Sequence, residues 1–112
     1  MRDAFAAEFY DIVASDPKVS ILTGDIGFGV FDQLIADFPD RFLNMGVAEA
    51  NMIGVAAGLA LEGQRPFVYT IIPFLTMRTF EQIRNDVCIQ NLPVKIVGVG
   101  GGLAYGPMGP TH

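Results

Sequence analysis

Cysteine and histidine are nearly missing from this chain: Cys88 and His112 are the only ones. A single cysteine excludes an internal disulfide, fits a reducing compartment, and reads as a small core hydrophobe. With one histidine and one cysteine, neither a zinc site within the chain nor a nucleophile–histidine pair inside the fold is expected. Basic residues are also scarce, 7 against 12 acidic ones, for a net charge of -5. No patch can release counterions from phosphates, so nucleic acid is excluded as a partner. The longest apolar stretch carries Glu49 and Asn51 and falls short of the ~20 residues that a spanning helix needs. Residues 1–8 lack the apolar run of a signal peptide. Together these absences predict a cytoplasmic protein that neither crosses nor binds a membrane.

What is present is hydrophobic. Apolar residues make up 51% of the 112 and charged ones only 17%, with a mean hydropathy of +0.41. One domain of this size cannot hide so much apolar surface alone, and the excess predicts an interface with a partner chain or domain.

Prolines and glycines punctuate an alternation of helices and strands. Residues 2–15 predict an amphipathic helix with Phe5, Phe9, Ile12 and Val13 on one face, ended by Asp16-Pro17. Val19–Leu22 reads as a buried strand, stopped by the turn Thr23-Gly24-Asp25. A helix over 29–37, a strand over 41–45, an Ala-rich helix over 47–61, a strand over 66–72, a long helix over 74–90 and a strand over 94–99 complete the pattern. In the long helix Arg78, Glu81, Arg84 and Asp86 are assigned to a polar side; residues 100–112 read as a loop. The strands are continuous apolar runs rather than alternating ones. The expected fold is therefore α/β, a parallel sheet with helices on both faces. In such sheets functional groups gather beyond the carboxyl ends of the strands, here Asp25, Gly46–Glu49, Pro73-Phe74 and the glycine loop.

Glu49 is the only ionisable group between Met45 and Leu61, among small apolar residues. A buried carboxylate is costly unless something pairs with it or shares its proton. One reading makes it a cap, with Gly46 at the N-cap and Glu49 at the third helical position facing free amides. The other gives it chemistry, which requires burial beside an opening. That reading collapses if the carboxylate is turned to bulk solvent, or clasped by an arginine with no cavity beside it. Ala50, Gly54, Ala57, Gly58 and Leu61 put small residues on one side of the same helix, for tight internal packing or for a subunit interface. The glycines of 98–109 do not form a dinucleotide fingerprint: the sixth position is Leu103 counted from Gly98 and Tyr105 from Gly100, and prolines follow instead of a helix. They instead predict close passage of the backbone by a ligand or a neighbouring chain.

Taken in order, Thr23-Gly24-Asp25, Phe42-Leu43-Asn44-Met45-Gly46-Val47-Ala48-Glu49-Ala50-Asn51-Met52, Gly58–Gly63, Pro66–Thr70, Phe80-Glu81-Gln82-Ile83-Arg84 and Gly106–His112 resemble the pyrimidine-binding domain of the transketolase family of thiamine diphosphate enzymes. The resemblance covers nearly the whole chain as a single domain, 1–112, and implies that the domain's last elements are lacking. It implies that Glu49 bonds ring nitrogen N1′ of the cofactor's aminopyrimidine and shares its proton. It implies a stacking aromatic, Phe74 if a one-residue shift from Leu75 is taken. It further implies an acidic residue near the cofactor at Asp25, and a histidine contacting a sugar substrate at His112. Met108 stands where many sugar transketolases carry an acid that reads a substrate hydroxyl, and Gly100 where some carry another histidine, which shifts the expected substrate away from their usual ketoses and aldoses. No Gly-Asp-Gly run is present. The diphosphate and its Mg2+ are therefore expected on a partner domain or subunit, in a homo- or hetero-oligomer, with no metal ligand in this chain. Two alternatives stay open: a flavodoxin-like module that binds a small anion without catalysis, and an inert fragment that only dimerises.

Overall fold

The computed structural model describes residues 1–112. Helix α1 (Arg2–Ser15) leads into β1 (Val19–Thr23); α2 (Asp32–Asp37) and a 3-10 turn (Pro39–Arg41) lead into β2 (Phe42–Asn44). Helix α3 (Glu49–Leu61) precedes β3 (Arg65–Ile71), and α4 (Ile72–Thr76), α5 (Phe80–Gln82) and a π-helical stretch (Ile83–Cys88) precede β4 (Lys95–Val99). The four strands form one parallel sheet in the order β2-β1-β3-β4. Thr23 pairs with Asn44 on one side and Tyr69 on the other, so all strand ends point to one edge.

Every residue of β1 is buried, as a central strand covered on both faces requires. Ile21 and Val19 face Phe9, Val13, Phe31 and Leu34 of α1, α2 and the turn before it, while Leu22 and Val68 face Met52, Ile53 and Ala56 of α3 with Leu75 and Val87. Each such side chain contributes ~1.5–3 kcal/mol of transfer free energy, so the two cores fix the sheet between its helix layers. The expected α/β architecture with helices on both faces is what the chain adopts.

Three local expectations fail. The helix predicted over 29–37 starts at Asp32, because Gly29 at φ +72° belongs to the preceding turn. The long helix over 74–90 is broken. Thr76 and Thr79 turn their hydroxyls back onto the carbonyls of Ile72 and Leu75, an interaction that competes with the helical ladder. The amides of Ile89 and Leu92 then reach five residues back, to Arg84 and Val87. Arg78, Glu81 and Arg84 nonetheless stay exposed, and Asp86 is half-buried. Finally, Cys88 is exposed rather than part of the core.

Candidate functional site

The link from β1 to β2 runs over the α1 face and the link from β3 to β4 over the other face. Beyond the carboxyl ends of adjacent strands whose connections part in this way, an open α/β sheet forms its binding crevice. Here the crevice lies between Gly24, following β1, and the end of β3.

Glu49 enters it from the first turn of α3 and is 1% exposed. Gly24 lets it do so: a Cβ there would stand 2.9 Å from Thr70 Oγ1 and 3.3 Å from Glu49 Oε1. The capping arrangement is not formed. Ala48, not Gly46, is the N-cap, and Glu49 is the first helical residue. Its hydrogen-bond partner is a side chain instead. Arg78 donates from Nη1 to Glu49 Oε2 at 2.5 Å, leaving Oε1 toward Gly24. Arg78 itself is 45% exposed in its side chain, and its Cζ lies 4.5 Å from the centre of the Phe74 ring. The Phe74 ring meets His112 edge-on, with centroids 4.9 Å apart.

The sheet edge thus links Glu49 to Phe74 through Arg78, and Phe74 to His112. Leu75, the other candidate for the stacking position, is 1% exposed and belongs to the core. Asp25 lies at the rim in the left-handed region, φ +57°. Its carboxylate accepts from Asn44 Nδ2 at 2.9 Å, and Asn44 Oδ1 accepts from the amides of Asp25 and Gly46. Asp25 therefore ties the end of β1 to that of β2 and has no bond to Glu49.

Other expectations for this edge need correction. At Gly98 and Gly100 the close approach is to the chain's own Ile72 and Tyr105 rather than to a ligand or neighbour. On α3, Ala57 packs into the core, whereas Gly54 and Gly58 have nothing within 4 Å of where a Cβ would stand. Internal packing does not account for those two glycines. Glu49 is clear of bulk solvent but bonded to an arginine, and it does not line the cavities along α1, beside the glycine loop or around Pro17 and Gln64. Arg78 is the residue that reading the sequence missed. The signal was the need of a buried carboxylate for a cation; Arg78 is exposed, as its assignment to a polar side expects, yet its guanidinium reaches inward to Glu49.

The family model described as "Transketolase, pyrimidine binding domain" matches residues 1–112. The chain belongs to that family. It is 46% identical over 78 residues to an apulose-4-phosphate transketolase subunit of Actinobacillus succinogenes, covering 70% of this chain and 25% of that protein. Against the corresponding apulose-4-phosphate transketolase subunit of Phocaeicola vulgatus identity is 33% over 112 residues, 99% of this chain and 36% of that one. It is 38% identical over 109 residues to 1-deoxy-D-xylulose-5-phosphate synthase of Crocosphaera subtropica, covering 96% of this chain and 17% of the synthase. Among solved structures, a split-gene transketolase described as an inactive beta4 tetramer superposes with a TM-score of 0.78 at 40% identity, over 87% of this chain and 33% of the other. This transketolase pyrimidine-binding domain therefore spans between 17% and 36% of the length of these curated relatives.

Proposed function

We propose that this chain is the pyrimidine-binding half of a thiamine diphosphate-dependent transferase that moves a ketol or aldehyde unit. One observation carries the reading: a carboxylate that is 1% exposed stands at the crevice of the sheet with one oxygen bonded and the other turned to the glycine that makes room for it. The residues fit an aminopyrimidine. Glu49 is a buried acceptor for a ring nitrogen, and Phe74 is a half-buried aromatic plate at its side.

Bound thiamine diphosphate supplies the electron sink for breaking a carbon–carbon bond next to a carbonyl. The chain's own part is to place and protonate. Glu49 would share a proton with the ring nitrogen through a hydrogen bond made in an apolar wall, where a charged hydrogen bond is stronger than in water. Phe74 stacks against the ring and sets its plane. Asp25, through Asn44, keeps the β1 and β2 ends in register beside the ring. His112, at the outer side of Phe74, reaches the substrate. The names of the relatives point to a phosphorylated keto sugar as the substrate class. The diphosphate and its Mg2+ are held by a partner domain or subunit, and the bare backbone at Gly54 and Gly58 suits close approach of a second chain.

The test uses the chain assembled with its diphosphate-binding partner. Glu49→Gln abolishes turnover while calorimetric titration with thiamine diphosphate and Mg2+ shows most of the affinity retained. Full activity in that variant refutes the assignment.

A further inference from the structure

Arg78 makes both of the contacts that the proposed function asks of the aminopyrimidine. Its Nη1 donates to Glu49 Oε2 at 2.5 Å, and its Cζ lies 4.5 Å from the Phe74 ring centre. A guanidinium is a flat, cationic, N–H-bearing plate that bonds carboxylates and stacks on aromatic faces. A ring nitrogen sharing a proton with Glu49 above Phe74 has the same demands. We propose, resting on the function given above, that Arg78 is the stand-in for the cofactor ring: it fills the pyrimidine position while the cofactor is absent and leaves Glu49 when the ring arrives.

Two observations support a side chain that moves on a backbone that does not. The neighbouring Thr79 is fully buried and anchored by its hydroxyl to the Leu75 carbonyl. The Arg78 side chain is 45% exposed, so a path to solvent is open to it. The arrangement solves a physical problem, since a carboxylate buried for later use needs a counter-charge before its ligand comes. It also makes the cofactor compete with an internal group, which lowers its apparent affinity by the fraction of molecules with Arg78 swung away.

The experiment measures thiamine diphosphate binding with Mg2+ in the assembled complex, by calorimetry and by thermal shift, for wild type, Arg78→Met and Arg78→Lys. Methionine removes the competitor, and lysine keeps a charge beside Glu49 should the first variant fold poorly. The expected result is cofactor bound at least tenfold more tightly by Arg78→Met and several-fold more tightly by Arg78→Lys. The melting temperature of Arg78→Met falls without cofactor and returns to the wild-type value with it. A thiazole diphosphate lacking the pyrimidine binds all three proteins equally. Unchanged or weaker cofactor binding in both variants overturns the proposal and makes Arg78 a permanent partner of Glu49, with the function untouched. A wild-type complex that binds the thiazole diphosphate as well as it binds the whole cofactor refutes the pyrimidine-binding function itself, and the proposal with it.

Discussion

The Glu49–Arg78 pair is lopsided, and that predicts an unequal response to losing either end. Glu49 is 1% exposed and Arg78 45% exposed. Arg78→Met leaves a carboxylate buried without a counter-charge. Breaking a buried pair in this direction costs ~3–5 kcal/mol, and the partial exposure of Arg78 puts the loss near the lower figure, about 3 kcal/mol. In a domain of this size each kcal/mol moves the melting temperature by about 4 °C, so the midpoint falls by about 12 °C. Glu49→Gln removes the buried charge and leaves a cation that reaches water, at a cost of ~1 kcal/mol or less. Once Glu49 is gone Arg78 has nothing left to neutralise. The double variant is therefore as stable as Glu49→Gln alone, with a coupling of about 3 kcal/mol between the two sites. Urea denaturation of the four proteins at one pH, with the slopes compared to confirm equal exposure on unfolding, measures this directly. The reasoning is refuted if Arg78→Met loses under ~1 kcal/mol, or if the double variant loses the sum of the single losses.

Two more outcomes follow from the same geometry. Leu75→Ala opens a cavity beside Met52, Val68 and Val87 and lowers stability by ~2–5 kcal/mol. Phe74→Ala, at a half-buried ring, changes stability by under ~1 kcal/mol, yet weakens thiamine diphosphate binding about tenfold, as loss of a stacked aromatic does. The reverse pattern in denaturation and calorimetry would move the stacking role to position 75. Far from the site, Gln33 Nε2 and Tyr10 Oη both donate to Asp37 Oδ2, at 2.6 and 2.7 Å. These bonds, that from Gln33 first, hold the Asp37 carboxyl below its ordinary value of 3.8. A depressed carboxyl stabilises the fold above that value and loses its contribution as pH falls below it. In an NMR titration the Asp37 midpoint therefore lies below 3.8 and moves part of the way back in Tyr10→Phe, where Gln33 remains; an unmoved midpoint removes Tyr10 as a cause.

Conditions inside the crevice explain why its members look ordinary in isolation. Asp25 is a surface acid until Asn44 is seen to bridge β1 and β2 through it. Phe74 and Leu75 are adjacent apolar residues, and the turn of α4 alone sends Leu75 into the core and leaves Phe74 at the rim beside His112.

Much of this protein is determined locally and is legible in the order of its residues. Near-continuous apolar runs such as Val19–Leu22 suit strands buried on both faces, and Pro, Gly and Asp at their ends mark where they stop. The alternation of strand and helix leaves a parallel sheet as the consistent arrangement, with the strand ends at one edge near Asp25, Glu49 and Phe74. The lone acid among alanines and glycines likewise signals a buried charge. What the residue order did not decide was its counter-charge. Periodicity assumes an unbroken helix, and over residues 74–90 that assumption put Arg78 with Glu81 and Arg84 on the solvent side. Back-bonded threonines and five-residue turns broke the helix, and the packing of α3 against β3 brought Glu49 within reach of residue 78. A pairing across 29 residues depends on where two elements dock, and only the tertiary fold supplies that distance.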